Sequence, residues 1–391
     1  MSYKYALCLT SQFYFCGLPL RLDSYKGCPS KCIYCFVGSR QGNFLKDIQY
    51  ANPVLIGKWF ELALEQNSKT DNVLIECLRR RMPIHFGGMS DPLLIHDSFK
   101  HVTLEILKIL DKYKYPTLIS TKANIISNSE FSSIILGKSH FAIQLSFSTF
   151  NDAIASIVEP HAPLPSERLK GACSAIKSGN WIACRFQPYL PSQDVDDLVR
   201  NISSEGFNHL TIEHFKLPFD GQININKLNS AFNINILKLF PKGKRIARGR
   251  EYEMPNDIRL PEILKFIKAS AKYKISIGIG DNGFQHLSTS LCCCGIDLLQ
   301  GFENWNKHNI TVALKRTAKD NAVNYKSIVG EWAPKSNISM MINSKTRLTK
   351  GCNTIIDHIK CQWHYNTQFS PKFFHNVVSE KNGDTYKYYI K

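Results

Sequence analysis

The sequence lacks a long apolar segment, since no run reaches the roughly 18 uninterrupted apolar residues that a membrane-spanning helix needs. Its first 20 residues, MSYKYALCLTSQFYFCGLPL, also lack a basic leader, and Ser, Gln and Cys interrupt the apolar residues there. This pattern is not typical of a secretory signal peptide. These absences predict a cytoplasmic protein that does not insert into membranes.

Acidic residues are scarce relative to basic ones, since 32 Asp and Glu stand against 49 Lys and Arg, and the formal net charge is +17. A surface this basic favours anionic partners, with nucleic acid first among them. It also suits an acidic electron carrier, such as a flavodoxin or a ferredoxin. Charge alone leaves open a third interpretation, a basic surface without a dedicated partner.

Cysteine, by contrast, is plentiful, with 13 residues in clusters along a long chain. In a reducing compartment, clustered cysteines indicate metal or redox chemistry and not a disulfide framework. A charged fraction of 21% and a hydrophobic fraction of 43% exclude wholesale disorder and allow a large packed core.

From about residue 53, short β-rich runs alternate with longer helical ones, whose apolar residues recur at three- and four-residue spacing. This alternation favours parallel strands joined by right-handed crossovers. The predicted fold class is α/β, a full or partial (β/α)6 TIM-like barrel with a C-terminal Cys-containing extension. The predicted strands are 83–86, 117–120, 141–147, 181–189, 209–215 and 274–279, and the predicted helices are 56–64, 72–81, 99–113, 166–178, 195–203, 225–240 and 261–273.

The pattern changes near residue 285. Beyond it, Lys, Asn, Ser and aromatic residues predominate without clear periodicity. We therefore predict an N-terminal segment over 1–20, a barrel over 21–285, and a basic, Cys-containing extension over 286–391. In barrels of this type, reactive groups gather at the carboxyl ends of the strands.

Three cysteines lie close together near the start of the chain. Cys28, Cys32 and Cys35 have the spacing C-x3-C-x2-C, so that one loop can wrap three thiolates around an iron–sulfur cube. Soft thiolates suit iron–sulfur clusters and zinc alike. A structural zinc site normally has four protein ligands, and no fourth Cys or His lies close by in the sequence. A 4Fe–4S cluster with one open iron is therefore the favoured group, and zinc is the alternative.

The triplet, with the aromatic Tyr34 directly before its last cysteine, resembles the signature of the radical S-adenosylmethionine (SAM) superfamily. The resemblance implies that SAM chelates the open iron. It also implies that reduction cleaves SAM to methionine and a 5′-deoxyadenosyl radical, which abstracts a hydrogen atom from the substrate. The cofactor carries that step, and the protein positions and shields it. By the same resemblance, Tyr34 lies against the adenine.

Later motifs follow the order found in one branch of that superfamily, spore photoproduct lyase and its relatives known as DNA repair photolyases. The similarity covers about residues 20–215. The motifs are Gly-Gly-x-Ser-Asp at 87–91, Thr-Lys at 121–122, a serine on a strand at 146, Glu-Pro-x-Ala-Pro at 159–163 and Arg-x-x-Pro-x-x-Pro at 185–191.

The resemblance assigns SAM contacts to several of these residues. Gly87 and Gly88 let the backbone approach the SAM amino group closely, as glycines at a strand end can. The remaining contacts that it implies are Ser90, Lys122 and Ser146, with Ser148 as an alternative to Ser146.

Two positions depart from the branch. Spore photoproduct lyase has a cysteine where this chain has Gly88, and a tyrosine where it has Phe36. Because a thiol and a phenol that pass a hydrogen atom are both missing, we expect a substrate other than the spore photoproduct. The leading hypothesis is a radical SAM enzyme that acts on a nucleic acid base or lesion, for example in DNA repair. The alternatives are a radical SAM enzyme that modifies a peptide or small molecule with an auxiliary cluster, and a non-enzymatic, metal-containing nucleic-acid-binding protein.

The C-terminal extension contains further Cys and His residues that leave several roles open. One or two of three adjacent cysteines, with two later ones, are candidate ligands of an auxiliary iron–sulfur cluster. The later Cys and His residues are alternatively a zinc site, although their spacing matches no common zinc finger. Free or buried thiols are the third possibility, and hydrogen donation to a substrate radical by one adjacent cysteine is the fourth. The residues are Cys292, Cys293, Cys294, Cys352, His358, Cys361 and His364.

A basic run covers residues 238–250, with six Lys and Arg and no acid. The last fifty residues are also basic, with aromatic residues such as Trp363 interleaved. Basic side chains bind phosphates without reading sequence, and aromatic rings stack on unpaired bases. A base inside a duplex would have to be flipped out to reach an active site. A solvated basic face is the alternative.

Overall fold

The computed structural model describes residues 3, 5–13, 15–28, 30–35, 37, 49–66, 71–94, 97–219, 223–248, 250–305, 307–316, 322–323, 333–342, 351–364, 370–383 and 385–391. These include all three cysteines of the N-terminal triplet, whereas Phe36 lies outside them. Within these residues, no helix is both long enough and apolar enough to cross a membrane.

The strands of the described residues are mostly short. In chain order they are β1 (Leu7–Leu9), β2 (Leu20–Leu22), β3 (Tyr25–Lys26), β4 (Gln49–Tyr50), β5 (Ile84–Phe86), β6 (Thr117–Thr121), β7 (Phe141–Phe147), β8 (Ile182–Tyr189), β9 (His209–His214), β10 (Leu217–Pro218), β11 (Ile246–Arg248), β12 (Glu251–Glu253), β13 (Ser276–Ile279), β14 (Ala322–Val323), β15 (Val377–Asn382) and β16 (Thr385–Ile390).

The helices of the same residues lie mainly between these strands. They are α1 (Pro53–Leu64), α2 (Val73–Arg79), α3 (Asp97–Lys112), α4 (Ser129–Ile135), α5 (Asp152–Val158), α6 (Pro165–Lys177), α7 (Val195–Ser204), α8 (Ile225–Phe232), α9 (Asn256–Lys272), α10 (Ile310–Arg316) and α11 (Ile355–His364). Six of them begin after an Asn or Asp whose side chain accepts a hydrogen bond from the first turn, which stabilises the helix start. These caps are Asn52, Asn72, Asn128, Asn151, Asp194 and Asn224.

A central sheet contains eight strands in the order β1-β2-β5-β6-β7-β8-β9-β13. The strands β1 and β2 pair antiparallel, and all the other neighbours pair parallel. Among the described strands this order has two edges, β1 and β13. The sheet is therefore compatible with a partial barrel, and it does not show the closed barrel that was the other predicted form.

All six predicted strands are present, with ends that differ from the predicted ends by at most two residues. The helix predicted over 225–240 is instead α8 followed by a separate 3-10 turn, Ile236–Leu239. It ends because Asn233 adopts a left-handed backbone conformation with φ of 47°. The sequence patterns did not indicate α4, α5 or the β1–β2 pair, which are too short to show a period.

The predicted domain boundaries remain predictions. The first, after residue 20, falls inside β2, which pairs with β1 in the central sheet. Beyond the second, at residue 285, part of the extension packs against the sheet, as described next.

The two faces of the central sheet have different coverings. Ile119, Ile143 and Phe186 belong to the main core, together with helix residues such as Val199 and Phe266. On the opposite, inner face, Leu118 and Ala142 pack against apolar residues that come mainly from the extension. We refer to this second cluster as the floor, and its other members include Leu18, Cys292, Cys294, Ile296, Phe302, Trp305 and Val312.

Candidate functional site

The three N-terminal cysteines lie on a loop that follows β3. Cys28 is preceded by Gly27, whose φ of 105° only glycine adopts readily. The backbone N–H of Cys35 donates to the carbonyl of Cys32 at 3.0 Å, so the second half of the loop is a tight turn. The N–H of Ile33 donates to the carbonyl of Val158 at 3.0 Å, which ties the loop to the end of α5. All three cysteines are free and half-buried.

The thiols of this loop are close enough to influence one another. Burial is the main cause that raises the pKa of Cys32, Glu159 is the next, and the thiols of Cys35 and Cys28 add to it. In the described part of the chain, no three His, Cys, Asp or Glu side chains form a ready site for a single metal ion. Three thiols on one loop are compatible with a 4Fe–4S cluster that leaves one iron open.

A buried ionic network lies beside the loop and is centred on Glu159. Lys122 Nζ donates to Glu159 Oε1 at 3.0 Å, and Ser148 Oγ donates to the same oxygen at 2.8 Å. The Tyr34 hydroxyl also donates to Oε1, and the Arg168 guanidinium donates to Oε2. Burial would raise the pKa of Glu159, but Lys122 and Arg168 outweigh it and lower the pKa to about 2. The carboxylate is therefore ionised at neutral pH.

This network joins two predicted SAM contacts that are 88 residues apart in the sequence. The Lys122 ammonium lies 5.7 Å from the centre of the Tyr34 ring. Arg168 is fully buried and also donates to the carbonyl of Ser146 at 2.9 Å. Glu159 and Arg168 thus hold the ends of β6 and β7 and the cysteine loop together.

The glycine-rich turn after β5 leaves space only for glycine at its first position. Gly87 has a φ of 94°, and a Cβ there would lie 2.5 Å from the carbonyl oxygen of Ser120. A Cβ on Gly88 would lie 2.8 Å from Arg21 Cδ, so a cysteine at this position would displace the arginine. The absence of a thiol at Gly88 therefore matches its surroundings.

Asp23, directly after β2, binds the second half of the glycine-rich turn. Its Oδ1 accepts hydrogen bonds from the N–H groups of Met89 at 2.8 Å and Ser90 at 3.3 Å. Ser90 Oγ is buried beside the Asp23 carboxylate and makes no hydrogen bond of ordinary geometry within the described residues. Because a buried hydroxyl without a partner is costly, this oxygen is suited to a polar group of a ligand.

Asp91 connects the glycine-rich turn to Lys122. Its carboxylate accepts from Thr121 Oγ1 at 2.6 Å and from the Lys122 N–H at 2.5 Å, and its carbonyl accepts from the Tyr25 hydroxyl. Burial is the largest influence on the pKa of Cys28 and raises it. The Ser30 hydroxyl lowers this pKa, and the Asp91 carboxylate raises it. The predicted cluster ligands, Ser90 and Lys122 are thereby brought to one edge of the sheet, as predicted for carboxyl ends of parallel strands.

The last of the predicted SAM contacts, Ser146, lies on the inner face of β7. In the register of the sheet it pairs with Arg185 on β8, which pairs with Thr211 on β9, which pairs with Gly278 on β13. We refer to these four residues as the inner row. The sequence motif at 185–191 gives Arg185 no role of its own. The sequence signal for such a role is that Arg185 is the one charged residue in the otherwise apolar strand segment WIACRF.

A chain of hydrogen bonds crosses the inner face and includes Thr211 of the inner row. His85 Nε2 and Ser120 Oγ are 2.8 Å apart, Ser120 donates to Gln144 at 3.0 Å, and Gln144 donates to Thr211 at 3.3 Å. Thr211 Oγ1 then donates to the carbonyl of Cys293 at 2.8 Å. The chain links four strands of the central sheet to the C-terminal extension.

The three adjacent cysteines of the extension differ in their surroundings. Cys292 and Cys294 are buried in the floor, and their sulfurs are 3.1 Å apart. Cys293 is half-buried and lies close enough to Arg185 and Glu213 to interact with them electrostatically. Of the three candidate hydrogen donors, Cys293 is the one oriented toward the inner row.

The later Cys and His residues form no recognisable metal site. The sulfurs of Cys352 and Cys361 are 2.9 Å apart, and His358 is buried on the same helix as Cys361. Within the described residues, these side chains do not form a group that could hold a metal ion. The auxiliary cluster and the zinc site therefore stay predictions without supporting geometry.

No family model matches the chain, and no curated protein matches it. Among solved structures, the chain is similar to spore photoproduct lyase complexed with dinucleoside spore photoproduct, at 14% identity and a TM-score of 0.47 over 66% of this chain and 74% of that one. It is also similar to SuiB of Streptococcus suis bound to S-adenosylmethionine, at 14% identity and a TM-score of 0.43 over 70% of this chain and 52% of that one. At these values the likeness supports no conclusion about activity, and the proposals below rest on the site itself.

Proposed function

We propose that this protein is a radical SAM enzyme that acts on a nucleic acid base or lesion. One observation carries the proposal: the cysteine loop, the buried Ser90 hydroxyl and the Lys122–Glu159 network meet at the carboxyl edge of a mainly parallel sheet. A loop with three thiols supplies three ligands to a 4Fe–4S cluster and leaves the fourth iron for SAM. Catalytic groups of such sheets gather at this edge.

The residues at the site fit both groups. Cys28, Cys32 and Cys35 would hold the cluster, and a bound cluster with SAM would supply a 5′-deoxyadenosyl radical that abstracts a hydrogen atom from the substrate. Ser90 offers a buried hydroxyl beside Asp23 for SAM, with the glycine-rich turn next to it. Lys122, held by Glu159, offers a positive charge for the SAM carboxylate.

The choice of a nucleic acid is supported by a surface next to the cysteine loop. The sheet β10-β12-β11 lies three residues beyond the carboxyl end of β9. Leu217 and Tyr252 of this sheet belong to the same hydrophobic cluster as Cys32 and Tyr34. A substrate bound at this small sheet would therefore be close to the cysteine loop, where the radical would form.

Cations and aromatic rings gather around Tyr252 of this small sheet. The Arg245 guanidinium lies 3.8 Å from the centre of the Tyr252 ring, and the exposed Phe219 ring lies 4.3 Å from the same ring. The exposed Lys242 and Lys244 precede Arg245 in the chain. We refer to these five residues as the basic-aromatic surface. Such a combination binds single-stranded nucleic acid through phosphates and stacked bases.

The proposed hydrogen donor is Cys293. A hydrogen bond with Cys292 and burial raise the pKa of its thiol, so it keeps its hydrogen at neutral pH, as a donor must. If a Cys293→Ala chain formed the same product as the wild type at the same rate, this residue would be excluded. The reductant remains an expected acidic carrier such as a flavodoxin or a ferredoxin.

The test of the proposal is anaerobic reconstitution of the full chain with iron and sulfide, followed by dithionite and SAM. We expect about four irons per chain, as in one 4Fe–4S cluster, and formation of 5′-deoxyadenosine detected by chromatography. Cys32→Ala is expected to lose both, because a loop with two thiols no longer completes the ligand set.

The matched control is Cys173→Ala, which removes a half-buried thiol on α6 whose sulfur lies 3.8 Å from a Glu205 carboxylate oxygen. It should retain the iron and the 5′-deoxyadenosine. Formation of 5′-deoxyadenosine by Cys32→Ala would refute the assignment of the loop. Purified chain with zinc in place of iron would favour the non-enzymatic alternative.

A further inference from the structure

Arg185 is an interior arginine without a counter-charge. It lies in the inner row and is half-buried. Within the described residues it makes no hydrogen bond, ion pair or ring contact. The titratable groups whose pKa values Arg185 affects include His85, Cys16 and Cys293.

None of these three neighbours supplies a negative charge at neutral pH. Burial, with a contribution from Arg185, lowers the pKa of His85 to about 3, so its imidazole is neutral. Burial raises the pKa of Cys16 to about 12, and the Cys293 thiol is likewise protonated. The nearby Glu213 carboxylate is bound to Gln187 and Lys216.

Three other interior arginines of the described structure are paired with carboxylates. Arg168 pairs with Glu159, Arg21 pairs with Asp23, and Arg259 lies near the carboxylate of Glu253 and that of Asp281. Arg185 makes no such pair, and its nitrogens are not enclosed like the unpaired buried polar atoms of the described structure, so its guanidinium is accessible to a ligand. An accessible arginine that balances no carboxylate is suited to binding an anion.

We propose that the Arg185 guanidinium binds a phosphate group of the substrate at the inner row. A planar guanidinium binds phosphate through two parallel hydrogen bonds, which fixes orientation as well as position. The net charge of +17 and the basic-aromatic surface favour a phosphate over a carboxylate as its source. This inference rests on the proposed function for the choice of nucleic acid. It assigns the specific contact that holds the substrate near Cys293.

The test compares Arg185→Gln with the wild type in the full, reconstituted chain, using inorganic phosphate as the probe. Without phosphate, the variant should unfold at about the same temperature, because Arg185 makes no hydrogen bond or ion pair within the described residues that the substitution would remove. With phosphate, the wild type should be stabilised further and the variant much less. The apparent Kd for phosphate should rise roughly tenfold to a hundredfold in the variant, as expected when a charged hydrogen-bond donor is lost.

Two further variants provide controls. Arg200→Gln removes an exposed arginine on α7 and should respond to phosphate as the wild type does, which accounts for binding at surface cations. Arg185→Lys keeps the charge without the planar fork, and its affinity should lie between those of the wild type and Arg185→Gln.

Four results would overturn the proposal. A lower unfolding temperature of phosphate-free Arg185→Gln would make the arginine structural, and an equal phosphate response in both chains would place phosphate elsewhere. A comparable loss of SAM affinity would assign the guanidinium to the SAM carboxylate. Stabilisation by acetate in preference to phosphate would indicate a carboxylate ligand. Because none of these readouts needs SAM cleavage, failure of this inference is distinguishable from failure of the proposed function.

Discussion

The interior charges of this protein are stabilised by opposite charges held at short distance. Asp281 accepts from His214 Nδ1 at 2.8 Å and lies 3.6 Å from the Arg259 guanidinium. All three side chains are 1% exposed, so water does not screen them. Burial would raise the pKa of Asp281, but His214 and Arg259 outweigh it and lower the pKa to about 2.

This residue makes stability depend on pH in a defined direction. Because the folded pKa lies below the unfolded value of about 3.9, the ionised Asp281 stabilises the fold above about pH 4. That stabilisation is lost as the pH falls from about 4 toward 2. Asp281→Asn is expected to cost about 3 kcal/mol at pH 7, since it removes one partner of a buried ionic cluster that includes Arg259. Urea unfolding at several pH values should show the difference from the wild type shrink below about pH 4.

The comparison for this prediction is Asp196→Asn. Asp196 pairs with Lys272 at 2.8 Å on the surface, and both side chains are largely exposed. Solvent screens such a pair, so the variant should unfold close to the wild type at pH 7. A pH-independent cost of Asp281→Asn would show that the loss is steric and not electrostatic.

At the scale of elements, the turn after β5 determines where the candidate SAM contacts lie. Its geometry depends on two constraints at Gly87, a positive φ and close contact with the Ser120 carbonyl. Asp23 then holds the N–H groups of Met89 and Ser90, and Asp91 holds the N–H of Lys122. The ends of β2, β5 and β6 are therefore coupled through two carboxylates.

Gly87→Ala is expected to destabilise the protein by more than the conformational cost of a left-handed residue. That cost is about 1–2 kcal/mol, and overpacking against the Ser120 oxygen and Pro92 adds about 1–3 kcal/mol. The free energy of unfolding in urea measures the sum. Binding of SAM to the folded fraction should also weaken, because the turn must shift.

Gly243→Ala separates the two contributions. Gly243 has a φ of 85°, but a Cβ there would meet nothing within 4 Å. This variant should show the conformational cost alone and should bind SAM normally. Equal costs at the two positions would mean that the backbone near Ser120 relaxes to accept the methyl group.

At the scale of the whole molecule, a large positive charge is combined with a surface suited to nucleic acid. Binding that depends on phosphate contacts weakens as salt rises, because each contact releases counterions. For a single-stranded oligonucleotide, removing one such contact lowers the slope of log affinity against log salt by about 0.7. Arg245→Ala is expected to show this change in fluorescence anisotropy titrations at several salt concentrations.

Phe219→Ala tests the aromatic half of the same surface. Loss of one base stack should weaken binding by about 1–3 kcal/mol with an unchanged salt slope. Lys108→Ala, on the exposed face of α3 and paired with Glu105, should leave both affinity and slope unchanged. If all three variants bound alike, the basic-aromatic surface would not be the binding site.

The amino-acid sequence alone determined what depends on neighbours along the chain. The C-x3-C-x2-C spacing places Cys28, Cys32 and Cys35 on one loop, and local periodicity predicted the six parallel strands to within two residues. Such features need no long-range information, because a few residues define their geometry.

Only the tertiary structure decided how distant residues meet. Glu159 is paired with Lys122 and Arg168, Cys293 lies near the inner row, and Arg185 has no counter-charge in the described structure. These facts depend on strand register and on the packing of the extension against the inner face. Register follows from the burial of whole strand faces, so a single sequence does not reveal which charges are compensated.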